Sequence, residues 1–534
     1  MSQKVFTVGR KEFTVEETIA DKVVEYFSPE RYARRMRSRL QVEMASGGYS
    51  GGQSSKRTLT SWITKGNDAD GDINPDLVKL RERSRDLGRN SPLAAGAFST
   101  KVDHVVGTGL ALRPRIDHLK LGWTEAQADA LGVEIQREWR LWAESPECDA
   151  TRTLNFYELQ ALAFRAVLES GDVLAVLPHI ERVGNPYGLK VQLVEADRLS
   201  NPKSAADTDA IAGGVEVDGH GAPVAYHIAR THPGNLRTAR PLEWDRLEAY
   251  GRTGRKNVIH LYRKMRPGQR RGVPDLAPVI ESLKQLDRYT EAEIMAAVVS
   301  GMFTVFVKTQ NGAGLSPMSP TTEVGGATSD EDFRMANGAI LDLLPGEDVT
   351  FANPNRPNTA YDPFTIAILR QIGVGLDLPF EVLMKHFTAS YSASKAALLI
   401  AWKFFNGRRA WLAGGFCDPV YEAWLTEAVA RGRIRAPGFL TGDASVRKAY
   451  LGCVWVGDAP GHLDETKEVE AARMRVELGV STLDREAMLI TGEEFEEVTR
   501  QRGKEVAARK AAGLVEVPKP GAAAPFQNND ESET

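Results

Sequence analysis

The pattern of apolar and polar positions divides the chain before any chemistry is considered. Residues 1–90 read as an N-terminal arm. Gly47 to Gly52 (GGYSGG) and the polar residues after it predict a flexible stretch. The run Arg31 to Arg39 (RYARRMRSR) fits a solvated basic helix face beside Glu16, Glu17 and Glu25. From Ser91 the texture changes. Pro92 to Val106 has small and apolar residues at helical spacing and stops at Gly107 and Gly109. Further helices are predicted over Thr124 to Glu144 and Asn155 to Ser170. Strands are predicted over Val173 to Pro178, Leu189 to Val194, Gly214 to Asp218 and Val224 to Ala229, since these alternate in polarity between Gly, Asn and Pro.

After a basic loop, Arg263 to Gly272 (RKMRPGQRRG), comes the most regular segment. Leu276, Val279, Ile280, Leu283, Leu286 and Tyr289, followed by Ile294, Met295 and Val298, mark a long amphipathic helix. Met302 to Val307 then reads as a strand and 311–329 as a Gly/Ser/Pro/Thr-rich loop. Ala339 to Leu344 and Asp348 to Ala352 read as a strand pair joined through Pro345-Gly346. A returning helix is predicted over Pro363 to Gly375. Helix, β excursion and helix together would form a protrusion. Lys385 to Ser394 (KHFTASYSAS) is polar and predicted to be a loop, ahead of a helix over Lys395 to Trp411. Helices are also predicted over Pro419 to Arg431, Leu463 to Leu478 and Glu493 to Lys510, and the tail from Lys519 should be disordered. The fold class is α+β, mainly helical.

A length of 534 residues exceeds what one core usually serves. A net charge of −4 argues against a protein whose affinity comes mainly from neutralising phosphates. Cys148, Cys417 and Cys453 lie far apart, so neither a disulfide framework nor a zinc site follows and a reducing cytoplasm suits them. The N-terminus carries charges where a signal peptide needs an apolar core. The greasiest stretch, Ile294 to Val307, is too short to cross a bilayer.

Motifs that could carry chemistry lack their required surroundings. Gly48 to Gly52 fits G-x-S-x-G, but no strand precedes it to hold the serine in a strained elbow. Asp68, Asp70 and Asp72 begin like a calcium loop, yet Ile73 and Lys79 stand where glycine and glutamate are needed, which favours a solvated turn. The phosphate-loop and H-E-x-x-H patterns do not occur. His227 in its strand reads as a core or edge residue, and the pairs Glu493-Glu494 and Glu496-Glu497 as surface solvation. No catalytic residue, metal ligand or cofactor site is expected.

Several segments together resemble one family. They are Arg89 to Leu110, Val194 to Pro202, Arg271 to Val307 and Leu343 to Phe351, then Ile368 through SYSASKAALLIAWKFFNGRR to Arg409, and Leu478 to Glu486. Their order over much of the chain resembles the lambda-type portal proteins of tailed bacteriophages. That resemblance implies a ring subunit, typically of a dodecamer, at one capsid vertex of the virion, assembled in the host cytoplasm. It also implies a wing (91–270), a first stem helix (271–300), a clip (301–352) and a second stem helix (353–380). A tunnel loop (381–395), a C-terminal helical wing and crown (396–510) and a tail (511–534) would follow. Leu276, Val279, Ile280, Leu283 and Leu286 would pack the stem. Phe303, Val305, Phe306, Leu341 and Leu343 would belong to the clip. Lys385, His386, Thr388, Ser390, Tyr391 and Ser392 would face DNA without reading its bases. Expected partners are other copies of the chain, the terminase large subunit, head–tail connector or adaptor proteins, major capsid and scaffold proteins, and double-stranded DNA in transit; no membrane is involved. The rival readings are a nuclease or ATPase of the packaging machine, which needs clustered acidic ligands or a phosphate loop, and a capsid or scaffold protein without a channel.

Overall fold

The computed structural model describes residues 2–8, 11–45, 50–52, 57–59, 61–235, 241–301, 305–309, 347–351, 361–387, 390–459, 465–491 and 495–512. The chain divides into two units, Met1–Asp68 and Ala69–Thr534. In the first, β1 (Ser2–Val8) and β2 (Lys11–Glu17) form an antiparallel hairpin, followed by α1 (Ile19–Phe27) and α2 (Pro29–Ala45). The reading of 1–90 as an arm missed this hairpin. The basic run lies on α2 as expected, but its acidic partner is the fully buried Asp21 of α1. Arg39 Nη1 donates to Asp21 Oδ2 at 2.5 Å, and Arg35 lies 3.7 Å from the same carboxylate. Asp21 also accepts from the Thr18 backbone N–H at 2.9 Å and closes the N-terminus of α1.

The second unit begins earlier than residue 91, with α3 (Ala69–Asn90). Leu77, Arg81, Ser84 and Leu87 recur at helical spacing and are buried, so this helix belongs to the body. Next come α4 (Pro92–Val105), β3 (Ala111–Pro114), α5 (His118–Leu121), α6 (Glu125–Ala143) and α7 (Phe156–Ser170). Helices α6 and α7 start where the sequence supplies capping boxes, Thr124 with Gln127 and Asn155 with Glu158. Strands β4 (Asp172–Val176), β5 (Gln192–Glu195), β6 (Ile211–Ala212), β7 (Val215–Val217), β8 (Pro223–Ala229), β9 (Trp244–Glu248) and β10 (Val258–Tyr262) make two small antiparallel sheets. Their orders are β10-β4-β5 and β6-β7-β8-β9. Thus β10, which the alternation did not single out, pairs with β4 across the chain.

The long helix α8 (Ile280–Gly301) follows a short turn in which Leu276 and Val279 already point inward. Strands β11 (Val305–Thr309) and β12 (Glu347–Phe351) pair antiparallel, with Val305 opposite Phe351. The strand from Asp348 therefore pairs with the chain before the loop; its expected hairpin partner, Ala339 to Leu344, lies outside the described residues. The remaining elements are α9 (Tyr361–Gly375), α10 (Phe380–Met384), α11 (Tyr391–Leu412), α12 (Asp418–Ala430), α13 (Ala444–Leu451), β13 (Cys453–Val456), α14 (Glu465–Glu477), α15 (Leu483–Thr491) and α16 (Phe495–Ala511). A single π turn, Ala413–Cys417, joins α11 to α12. Strand β13 returns to pair with β3. The architecture is mainly helical with small sheets. No described helix is long and apolar enough to cross a membrane.

An aromatic cluster holds the main core. The Trp139 ring centre lies 5.0 Å from Trp142, 5.2 Å from Phe156 and 5.1 Å from Trp424, with the last two meeting edge to face. This knot ties α6 and α7 to α12, so the C-terminal third of the chain is packed against the region from 91 onward. A smaller core, including Leu174, Val215, Tyr226 and Ile228, lies under the four-stranded sheet.

Candidate functional site

The segment that joins α9 to α11 starts from a stem-like helix pair. Helices α8 and α9 run antiparallel. Tyr289 stacks on Tyr361 at 5.6 Å at one end, while a Cβ on Gly375 would come within 2.5 Å of Val279 Cγ1 at the other. Gly375 thus permits close approach. Leu276, Val279, Ile280, Leu283 and Leu286 are all buried, on the face that the apolar spacing marked. Helix α8 continues past the start of α9, and there Ile294, Met295 and Val298 are exposed.

Beyond α9 the chain turns at Asp377, passes Leu378 into the core and forms the single turn of α10, anchored by Val382 and Leu383. Lys385 closes α10 in the left-handed region at φ +52°, with its N–H donating to Glu381 O. This conformation is costly for a residue with a Cβ. It turns the chain out of the helix, and Lys385 and His386 are exposed. The His386 N–H also donates to Glu381 O, at 3.0 Å. The expected loop is shorter than Lys385 to Ser394. Ser390 is the N-cap of α11, and Tyr391 and Ser392 already lie in its first turn. Ser394 N–H donates to Ser390 O at 2.9 Å, and Ser394 is buried. Four small residues in five did not prevent helix formation, because the apolar α11 packs on α4 and carries its first turn with it. Ser390 and Ser392 remain exposed with hydroxyls 3.3 Å apart.

Helices α4 and α11, against which α10 packs, carry a cluster of buried cations. Lys101 of α4 is fully buried, pairs with Asp275 and sits 5.3 Å over the Phe404 ring. Arg408 of α11 reaches the same carboxylate at 3.4 Å and covers the same ring. One aspartate thus holds two cations, and burial pushes the pKa of each below its usual range. Nearby, Arg409 donates to His104 O and Val105 O at 3.1 Å, capping the last carbonyls of α4. His104 stacks on Phe405 at 4.9 Å. Burial, opposed by Asp103 and reinforced by Lys385 and Arg409, holds its imidazole below the usual range. Lys385 lies near enough to His104 for its charge to act on that imidazole.

Of the other expected residues, Thr388, Phe303, Leu341 and Leu343 lie outside the described residues. Val305 and Phe306 are in β11, opposite Phe351 and Thr350. His227 is nearly buried and faces Glu216 at 3.1 Å. Asp70 and Asp72 begin helix α3 and are not a solvated turn. Asp70 is buried and bound by Arg270 at 2.8 Å, and Asp72 by Arg266 at 2.5 Å. The first turn of a helix favours acidic residues, and the two arginines pair with them.

Charge counting also missed the most connected polar site. Arg271, from the basic loop, is buried and donates from Nε to Asp172 Oδ2 at 2.6 Å, from Nη1 to Leu199 O and Gly213 O at 2.6 Å, and from Nη2 to Ala196 O at 2.7 Å. Arg81 Nη2 meets Asp172 Oδ1 at 2.8 Å, and His260 Nε2 lies 3.1 Å from Asp172 Oδ2. Gly171 at φ +91° and Gly272 cross so closely that a Cβ on Gly272 would lie 2.0 Å from Gly171 O. The available signal was an aspartate entering an otherwise apolar strand, flanked by glycine. Among the described residues one trio has ligand-like spacing, His179, Glu181 and Glu427, but it is already committed. Glu427 accepts from the Gly188 and Leu189 N–H groups at 2.6 and 2.8 Å, and Arg431 bridges both glutamates. These connections are structural.

Comparison with known proteins adds relatives to this geometry. A chain of the neck of a native gene transfer agent particle, computed with C12 symmetry, covers 78% of this chain and 92% of its own at 13% identity, with a TM-score of 0.40. Portal protein B of Escherichia phage lambda is 26% identical over 511 residues, covering 90% of this chain and 93% of that protein. The portal protein of Escherichia phage N15 is 27% identical over 496 residues, 88% and 90% of the two chains. The profile described as phage portal protein, lambda family, matches residues 55–409, a span that takes in α3 to α10, the Asp172 network and the segment from Lys385 to Ser392. The chain belongs to the lambda family of phage portal proteins.

Proposed function

We propose that this protein acts as a ring subunit, in a dodecamer at one capsid vertex of the virion, whose central channel passes double-stranded DNA during packaging and ejection. The near-complete alignment with two phage portal proteins carries this reading. In it the protein is a structural component and not an enzyme. Helices α8 and α9 form the stem, the β11–β12 excursion belongs to the clip, the sheets and surrounding helices form the wing, and the C-terminal helices add wing and crown. The clip meets the terminase large subunit during packaging and head–tail connector proteins afterwards, and the outer surface meets the capsid and its scaffold. Assembly takes place in the host cytoplasm.

Lys385 and His386, with the hydroxyls of Ser390 and Ser392, face the channel. DNA in transit must not stick, since each phosphate neutralised adds to an affinity that would stall it. A few weak contacts to phosphate oxygens, with no reading of base edges, suit that need. The net charge of −4 fits the same requirement. Electron microscopy of the purified protein should show rings with a central channel. Monomers or sheets under all conditions would overturn the reading.

A further inference from the structure

Two surfaces that the described residues leave uncovered complement each other. The first is a cleft of about 440 Å³ where α8 passes α9, α10 and the start of α4, lined by Pro92, Leu286, Ile294, Met295, Leu369 and Met384. Its exposed surface is mostly apolar, and Asp287 and Glu291 also line it. Ile294 and Met295 are 58% and 57% exposed, because α8 runs beyond the start of α9 and no described residue covers them. The second is the outer stripe of α11, where Ala393, Ala396, Leu399, Ile400, Lys403 and Gly407 recur at helical spacing and are all exposed. Leu399 and Ile400 are 61% and 68% exposed, and Gly407 faces open space. Contiguous apolar surface of this kind marks a site of association.

Charge decides what covers them. Lys403 is the one charged residue among those six, and it forms no ion pair with a described residue. The cleft offers two carboxylates. Asp287 has its pKa raised by burial, which Lys284 offsets only in part, so a further cation beside it would be favourable. We infer that the exposed face of α11 seats in the α8/α9 cleft of a second copy of this chain, with Lys403 meeting Asp287 and Glu291. The two patches are different parts of the same surface, so the contact is heterologous. Repeated head to tail, such contacts close into a ring when the rotation allows. The inference rests on the ring reading and specifies which surfaces hold the ring together.

Two sets of variants test it. Ile294→Cys combined with Ile400→Cys should give, on mild oxidation, a ladder of covalent multimers on denaturing gels. In a Cys453→Ser background, which removes the one partly exposed native thiol, either substitution alone should not, since Cys148 and Cys417 are buried. Lys403→Glu should cut the ring fraction by roughly tenfold or more, because it sets like charges against each other across the contact. Adding Asp287→Lys and Glu291→Lys to Lys403→Glu should restore rings. Rings from wild-type protein with no disulfide ladder, rings unaffected by Lys403→Glu, or no rescue by the charge reversal would each overturn this interface. A ladder of dimers only would assign the patches to a closed two-fold contact and would also overturn it. If wild-type protein forms no rings under any condition, the ring reading itself fails, a result distinct from rings that lack the ladder.

Discussion

Asp172 shows how far a single buried carboxylate can organise a chain. Burial by itself would raise its pKa, but the Arg271 and Arg81 charges, with His260, hold it well below the usual carboxylate range. Removing one cation leaves the other charges desolvated and underpaired. Arg271→Met should therefore lower unfolding stability by about 3–5 kcal/mol, measured by urea titration; a loss under about 1 kcal/mol would contradict the keystone role. The same network sets an acid limit. An unfolded aspartate titrates near pH 3.9, and the folded one lower, so this contribution is complete above about pH 4 and fades as pH falls through the folded value. Glu486 behaves alike: its hydrogen bonds from Arg475, at 2.9 and 2.6 Å, bring its pKa down to about 2. Stability should fall on acidification from about pH 4.5 to pH 2, and Arg271→Met should flatten that slope in a pH series of melting curves.

At the scale of elements, the two halves of α8 do different work. Its first half and the turn before it bury Leu276, Val279, Leu283 and Leu286 against the body, whereas its last turns carry Ile294, Met295 and Val298 outward. Leu283→Ala should cost about 2–5 kcal/mol in the folded subunit through lost transfer energy and the cavity left behind. Ile294→Ala should change subunit stability by no more than about 0.5 kcal/mol. Similar losses for both would mean that the exposed half is held by something within the subunit. The segment ahead of α11 is an element in the same sense. Replacing Lys385 to Ser392 with a Gly/Ser linker should leave rings intact and impair packaging or DNA retention, scored by genome content of assembled particles. Normal retention would remove the segment from the channel wall.

For the molecule as a whole, the division at Asp68 matters. Among the described residues, both cores are built from residues of the second unit, from Leu80 onward. Deletion of Met1 to Asp68 should therefore preserve the main calorimetric transition of the second unit, within a few degrees. Its disappearance would show that the hairpin and its two helices are needed for the larger fold. The second unit is in turn tied across its length. The Trp139–Trp424 contact and the β13–β3 pairing bring residues some three hundred positions apart into one core, so its C-terminal third is not an appendage.

Local pattern alone determined most helices. The stretches at Pro92, Thr124, Asn155, Leu276 and Pro363 carry apolar stripes and caps that need no distant partner to be legible, and the buried face of α8 follows directly from its spacing. Short strands were less legible. Strands β3, β10 and β13 are specified by partners far away in sequence, such as Val258 opposite Val176 and Trp455 opposite Leu112. The order of segments carried the family, because relatives preserve that order along the chain. Only the tertiary structure decided the fate of individual charges. The loop from Arg263 to Gly272 reads as a basic loop, yet Arg271 is drawn inside because Asp172 waits there and the Gly171–Gly272 crossing lets the two backbones meet. Likewise Ser390 to Ser394 reads as loop, yet the packing of α11 on α4 extends the helix to Tyr391 and leaves Lys385 and His386 exposed at the turn. Periodicity is a property of neighbours in sequence; burial of a charge depends on which partner the fold brings to it.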